Sequence, residues 1–261
     1  MKNLEIIYED NDIILCHKPA GVATQTKRLG QQDMESLLKN YRVKKGEPPY
    51  IGVVHRLDQP VEGIMVFAKN QKSASSLSKQ IQGKMIGKYY YAVSAYKPKE
   101  EKGVLENYVI TDKKTNFTQV VEEMEPFSSS AKQAKLEYRV VKSMEEKTLF
   151  EIKLHTGRQH QIRVQMAHIG CPLIGDEKYA IKTKESKGRI SNEGAGVDVQ
   201  VVRKDYESPL YNHHGKAKKM HEMLALCSYR LQFQHPVTKK QMDFCISPKG
   251  EIFQEFVSKI K

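Results

Sequence analysis

The segment HRLDQPVEG, residues 55–63, places one carboxylate, Asp58, two residues after a cation, Arg56. Apolar runs at residues 51–54 and 64–68 flank it, and each predicts a β-strand. A loop held between two strands is a rigid position for a catalytic group. On this local pattern alone, a plain turn in which Asp58 bonds its own backbone is the alternative.

A second segment whose residue types could take part in catalysis or binding follows about a hundred residues later. It reads LHTGRQHQIRVQ over residues 154–165, and GDEKY follows at residues 175–179. The spacing, with Thr156 and Gly157 at its start and Gly170 at its end, predicts a helix over residues 158–169. On that helix Arg163 lies one turn after His160, so both can face one cleft. The predicted core-facing stripe is apolar: Ile162, Met166 and Ile169.

Together these two segments resemble the signature blocks of the RluA-type pseudouridine synthases, which isomerise uridine within RNA. Three further blocks follow in the family's order. Residues 13–21 resemble the opening strand and its KPxG turn, residues 87–93 the K-x-Y-x-A block, and residues 231–236 the closing LxFxHP hairpin. The resemblance spans most of the chain.

The resemblance implies roles for particular residues. It places the catalytic aspartate at Asp58, the cation that keeps it ionised at Arg163, and the family's tyrosine at Tyr90. The ring of Tyr90 would stack on a base extruded from the RNA. The start of the predicted helix favours phosphate, and the predicted RNA contacts are His55, Arg56, Arg158, His160 and Gln161. No cofactor and no metal are expected.

One carboxylate suffices for the implied reaction. Uridine must lose its C1′–N1 bond and gain a C1′–C5 bond, and uracil can depart as a delocalised anion. Asp58 can act as a nucleophile at C1′, as a base towards the 2′ proton, or as an electrostatic partner. The sequence leaves these three roles open.

The chain departs from the family pattern directly after HRLD. Many members have Thr-Ser-Gly where this chain has Val61-Glu62-Gly63. The glycine predicts that the turn is retained. A glutamate close to an RNA path predicts local repulsion, which bears on substrate choice.

Composition agrees with a soluble globular protein that meets a polyanion. The 261 residues carry 43 Lys and Arg against 31 Asp and Glu, a net charge of +12, and neutralising phosphates releases counterions. No apolar run approaches the roughly 20 residues that span a bilayer. The four cysteines lack CxxC spacing and are expected to be buried free thiols in a reducing cytoplasm. We expect a monomer.

The pattern of elements predicts an α+β fold with a mixed, largely antiparallel sheet. Strands are predicted at residues 4–8, 13–16, 136–141, 149–154, 224–233 and 241–246, and helices at residues 36–42, 71–82 and 158–169. Residues 97–127 look irregular. The family resemblance implies two lobes with flanking short helices and the active cleft between them.

The chain is predicted to be one catalytic domain, residues 1–261, without the family's N-terminal S4 module. Residues 182–223 form a basic, glycine-rich insertion that either clasps RNA or is a solvated surface excursion. A non-catalytic RNA-binding protein on the same scaffold is the second hypothesis, and turnover separates the two. A glycoside hydrolase is disfavoured because no second carboxylate is placed for it.

Overall fold

The computed structural model describes residues 4–26, 28, 30–121, 130–144, 146–179 and 223–256. These residues form one mixed sheet with short helices on both faces. The strands are β1 (Glu5–Glu9), β2 (Ile13–Lys18), β3 (Gly52–Val53), β4 (Glu62–Ala68), β5 (Gly87–Ser94), β6 (Lys102–Asp112), β7 (Phe117–Val121), β8 (Lys132–Ser143), β9 (Thr148–Leu154), β10 (Leu226–Gln234) and β11 (Gln241–Cys245). The helices are α1 (Met34–Lys44), α2 (Gln71–Gln82), α3 (Gln161–His168) and α4 (Glu251–Gln254).

The sheet runs in the order β1-β2-β4-β10-β5-β9-β8-β6-β7, with β3 beside β4 and β11 beside β10. Every strand pair is antiparallel except β10 with β4. The predicted α+β class with a largely antiparallel sheet is therefore confirmed. Two halves of the sheet meet at β10, which joins β4 on one side to β5 on the other.

Gly63 makes the junction between β4 and β10 possible. Its φ is +142°, and a Cβ there would lie 2.4 Å from the backbone oxygen of Ser228 and 2.6 Å from its Cβ. Any side chain would push the two strands apart. The glycine that closes the HRLD segment therefore has a packing reason, and the predicted turn is kept.

Alternation along the strands separates the two faces of the sheet. One face packs against α1 and α3, through Met65, Phe67 and Tyr90 on the sheet and Met34 and Met166 on the helices. On the opposite face a cluster that includes Ile13, Leu15, Ile64 and Val66 packs against Leu77 of α2. The predicted strands and the helix at residues 71–82 correspond to observed elements, with shifts of a few residues at most ends.

Helix α3 begins later than the sequence predicts. It starts at Gln161, not Arg158, because His160 before it adopts a left-handed conformation with φ 52°. The backbone N–H of Arg158 is taken by the side chain of Gln161 instead of by a helix turn. Residues 161–167 are all buried, so α3 is enclosed on every side and not only along its predicted apolar stripe.

Two further predictions are corrected. Within residues 97–127, strands β6 and β7 form a regular hairpin, whose alternation of exposed and half-buried residues looked irregular in the sequence. Three cysteines are free and buried as predicted, but Cys245 is exposed on β11. The predicted insertion lies outside the described residues, apart from Met223. Among the described helices, none has the length and apolar character needed to cross a membrane.

The closing hairpin is tied to the first turn by His235. Its Nε2 lies 2.9 Å from Oδ2 of Asp10, and its Nδ1 accepts the backbone N–H groups of Val237 and Thr238. Because Nδ1 accepts, the proton is on Nε2 and is donated to Asp10. This use of the histidine inside the protein accounts for the HP block.

Candidate active site

An open cleft of about 750 Å³ lies where the two halves of the sheet meet. Tyr90 of β5 and Leu226 of β10 line it, together with the loop before β4 and the segment that leads into α3. The described lining contains one carboxylate, Asp58, and five cations: Arg28, Arg56, Lys88, Arg158 and Arg163. A cleft with this balance attracts a polyanion and exposes it to a single acid.

The loop that carries Asp58 is held by Lys18 at the end of β2 and by Thr24 in the segment that follows. The buried ammonium of Lys18 donates to the backbone oxygens of Pro19, Val22 and Gln59. The hydroxyl of Thr24 donates to the oxygen of Leu57 at 3.0 Å and accepts its N–H at 3.2 Å. These bonds fix the residues on either side of Asp58, so its side chain has a defined direction.

Arg163 links Asp58 to a second, buried aspartate. Its guanidinium makes two bonds to Asp176, at 2.7 and 2.8 Å, and its Nη1 lies 3.6 Å from Oδ2 of Asp58. The side chain of Asp176 is 0% exposed and that of Asp58 is 31% exposed. Burial acts against the charge of Arg163, but Asp176 and then Asp58 outweigh it and raise the pKa of Arg163. The cation is therefore permanent and is held in place for Asp58.

Tyr179 and His160 complete the wall behind Asp58. The fully buried Tyr179 hydroxyl accepts the backbone N–H of Thr118 and pairs with Nδ1 of His160 at 2.8 Å. The guanidinium of Arg163 lies 5.1 Å from the centre of the Tyr179 ring. The Nε2 of His160 is 3.8 Å from Oδ2 of Asp58, and burial lowers the pKa of His160 to about 4. His160 therefore borders the site as a neutral group.

Tyr90 forms part of the apolar floor. It lies on the cleft-facing side of β5, whereas its neighbour Tyr91 packs on Tyr229 on the opposite face, as the alternation predicts. Burial raises the pKa of the Tyr90 hydroxyl, so the phenol stays neutral. The predicted roles of Asp58, Arg163 and Tyr90 require that the three meet in one cleft, and they do.

His55 has a backbone partner that the sequence did not suggest. Strand β4 pairs with β3 at Phe67 and with β10 at Gly63, and between them the Val66 N–H is bonded to Nε2 of His55 at 3.1 Å. Burial and then Lys88 lower the pKa of His55 to about 4. His55 is therefore neutral, and its Nε2 completes the sheet while the residue lines the cleft, so its contact with RNA stays a prediction.

Two neutral imidazoles predict a loss of stability in mild acid. Folded His55 and His160 stay unprotonated down to about pH 4, whereas an unfolded histidine takes up a proton near pH 6.5. Their contribution is complete above about pH 6.5 and is lost as the pH falls towards 4, because the unfolded state binds more protons. We expect a loss of about 1–2 kcal/mol per imidazole between pH 7 and pH 5, measured by urea unfolding. His55→Gln, which keeps an acceptor for Val66, should lose less than wild type, and equal losses would contradict this assignment.

The other predicted RNA contacts divide into exposed and buried groups. Arg56 is exposed at the cleft and Arg158 is half-buried there. Gln161 is 3% exposed, and its amide bonds Thr156, the Lys135 oxygen, Gln165 and the Arg158 N–H. The predicted RNA contact of Gln161 is therefore corrected: all four of its bonds lie inside the protein, where they position the segment that leads into α3.

Glu62 faces away from the cleft, so the predicted repulsion of RNA is wrong. It is buried, and its carboxylate accepts the backbone N–H groups of Lys249 and Gly250. Gly250 is the residue before α4, so Glu62 anchors the C-terminal segment to β4. Glu62, at the position where many family members have serine, therefore holds the C-terminal segment on the face of the sheet opposite the cleft.

Comparisons with known proteins identify the family of this chain. The sequence profile described as RNA pseudouridylate synthase matches residues 12–168, more than half of the chain. The chain belongs to this family. Ribosomal large subunit pseudouridine synthase D of Vibrio cholerae is 30% identical, over 92% of this chain and 66% of its own length. The protein of the same name from Pseudomonas aeruginosa is 36% identical, over 99% of this chain and 72% of its own length.

The fold of this synthase family member is also found among solved structures. Human RNA Pseudouridylate Synthase Domain Containing 4 has a TM-score of 0.69 at 20% identity, covering 98% of this chain and 92% of its own. At that identity the likeness concerns the fold alone. The chain spans about three fifths of the length of the first curated relatives that it matches.

Several residues of the site were missed from the sequence. The GDEKY block was seen, but no role was given to Asp176 or Tyr179, which hold Arg163 and His160. Lys18 and Thr24, which fix the Asp58 loop, were also missed. Asp176 and Tyr179 belong to a block that was recognised. The role of Thr24 could not be predicted from the sequence, because it depends on a hydrogen bond to Leu57, 33 residues away.

Proposed function

We propose that this chain isomerises uridine to pseudouridine within RNA. One observation carries the proposal: Asp58, held beside Arg163, is the single carboxylate among the described residues that line a cationic cleft. A polyanion enters such a cleft by its phosphates. Among the described residues, the acid that it then meets is Asp58, to which we assign the chemistry.

The proposed chemistry moves the glycosidic bond of C1′ from N1 to C5 of the same uracil. The C1′–N1 bond breaks, uracil turns, and the C1′–C5 bond forms. The proton on C5 is then lost to solvent, and N1 takes up a proton. Atoms and electrons balance without a cofactor, since the product is an isomer of the substrate. Asp58 acts as nucleophile at C1′, as base at C2′ or as electrostatic partner, and Arg163 keeps it ionised. Tyr90 supplies the surface on which the extruded base stacks.

Ribosomal RNA is the first substrate to test. Two relatives carry names that specify the large ribosomal subunit, and transfer RNA is the second candidate. We propose a cytoplasmic, monomeric enzyme, in keeping with the four free cysteines and the net charge of +12.

The experiment is release of tritium from RNA labelled at C5 of uridine, since forming the C1′–C5 bond expels that hydrogen. Release with purified protein, followed by mapping of pseudouridines in a deletion strain, would identify the RNA and the position. Binding of RNA without tritium release from ribosomal or transfer RNA would favour a non-catalytic RNA-binding protein.

Substitutions at Tyr90 should change the turnover rate more than the affinity for RNA. Tyr90→Phe should fold and bind RNA, because the ring still stacks. Tyr90→Ala should still bind through the phosphate contacts, but turnover should fall by about 10–100-fold, since stacking on an aromatic ring is worth about 1–3 kcal/mol per base. Single-turnover rates at saturating RNA measure this. A Tyr90→Ala rate equal to wild type would move the stacking role to another side chain.

A further inference from the structure

Lys88 is a cleft residue to which the proposed reaction gives no task. It lies on β5 two residues before Tyr90, so both side chains are on the same face of the sheet. Both line the cleft. Two residues along a strand span about 7 Å, so Lys88 lies one nucleotide-sized step from the proposed base platform. Beside it, Gly157 has no side chain, and a Cβ there would be 3.3 Å from the Lys88 ammonium.

The surroundings of Lys88 contain positive charge and no described counter-charge. Burial, and then Arg158, lower the pKa of Lys88. In the part of the chain that the structure describes, no carboxylate forms an ion pair with Lys88, and the one acid of the cleft, Asp58, pairs with Arg163 and His160. Holding an unpaired ammonium in a half-buried site is unfavourable unless an anion arrives.

Arg158 is a second cation beside Lys88, and one of its bonds orients it. Its Nε donates to the backbone oxygen of Gln133 at 2.9 Å, which fixes the plane of the guanidinium. Its terminal nitrogens have no partner among the described residues. An arginine oriented in this way presents a fork suited to phosphate.

We propose that Lys88 and Arg158 together bind one backbone phosphate of the RNA strand whose uridine lies on Tyr90. The proposal rests on the proposed function, because it takes RNA as the ligand. Asp58 pairs with Arg163 and His160, whereas the charged or titratable groups that act on Lys88 or respond to it are Arg158 and His55, so we assign the anion at Lys88 to the RNA backbone and not to the departing uracil. The cleft thus has a reaction half around Asp58 and a phosphate half around Lys88.

The test compares Lys88→Gln with Lys88→Arg and with a matched control. The control is Lys153→Gln: Lys153 is exposed on β9 and pairs in register with Tyr89, on the opposite face of the sheet. The probe is a fluorescein-labelled 12-nucleotide oligouridylate, with dissociation constants measured by anisotropy at several salt concentrations. Lys88→Gln should weaken binding about tenfold and reduce the log–log salt slope by about 0.7–0.9. Lys88→Arg should restore most of both, and Lys153→Gln should leave them unchanged.

Stability supplies a readout that a structural lysine would not give. Because the folded state holds the Lys88 ammonium without a described partner, Lys88→Gln should raise the thermal unfolding midpoint of the free protein by a few degrees. If Lys88 were needed for packing, Lys88→Gln would lower both the stability of the protein and its affinity for RNA. The expected result is that stability rises while affinity falls.

The outcomes separate this proposal from the proposed function. An unchanged salt slope for Lys88→Gln, with wild type active in tritium release, overturns the phosphate site alone. A reduced slope with a wild type that never turns over RNA leaves the phosphate site standing and overturns the enzyme. A wild type that binds no oligouridylate overturns the phosphate site, and tritium release then decides the function separately.

Discussion

Asp58→Asn should abolish pseudouridine formation while leaving RNA affinity nearly unchanged. The carboxylate is the only one that the described cleft offers to the ribose, whereas phosphate contacts carry the affinity. The size of the loss also distinguishes roles: removing a general base costs roughly 10²–10⁴-fold, whereas removing a nucleophile leaves no covalent route. Tritium release under single-turnover conditions, with anisotropy for affinity, measures both quantities.

The control for Asp58→Asn is Asp243→Asn, the same chemical change at an exposed residue of β11 outside the cleft. It should turn over RNA at the wild-type rate. Substantial turnover by Asp58→Asn would remove Asp58 from the chemistry and with it the central claim of the proposed function.

Arg163→Ala should cost both activity and stability. It leaves the carboxylate of Asp176, which is 0% exposed, without its cation, and breaking a buried pair by removing one partner costs about 3–5 kcal/mol. The backbone N–H groups of Lys178 and Tyr179 still bond Asp176, so we expect the lower end of that range. Urea unfolding measures the change, and turnover should be lost because Asp58 then lacks its neighbouring cation.

Arg230→Ala is the matched control for stability. Arg230 makes the same two-bond contact with Asp243, at 2.9 and 2.6 Å, but this pair is exposed. Exposed pairs contribute at most about 1 kcal/mol. If Arg163→Ala and Arg230→Ala were equally stable, the Arg163–Asp176 pair could not be as buried as described.

The sequence predicted the residues that meet in the cleft better than what each of them touches. Asp58, Tyr90 and Arg163 come from blocks whose residue types and order are readable along the chain. The partners of His55 and Glu62 lie on other elements of the fold, namely Val66 of β4 for His55 and Gly250 for Glu62. A side chain that looks polar and available in a motif can therefore be fully used inside the protein.

Local rules also failed at the start of α3, for a physical reason. Thr156 and Gly157 look like a helix start, but the Thr156 hydroxyl bonds the Gln161 side chain, and His160 takes the left-handed conformation that residues with a Cβ rarely adopt. Such a conformation persists only where surrounding contacts hold it, and it often occurs at functional sites. Here the contact is with Tyr179, whose hydroxyl also accepts the backbone N–H of Thr118 on β7.

The central position of β10 dictates when the site can exist. Strand β10 is formed by residues 226–234, near the end of the described chain, yet it joins β4 to β5 in the middle of the sheet. A ribosome releases this strand only after both flanking halves have been made, and pairing across so many residues is slow. Until it inserts, Asp58 and Arg163 belong to halves that are not joined through it. Under the proposed function, we therefore expect activity to begin only once β10 has inserted, as a single late event.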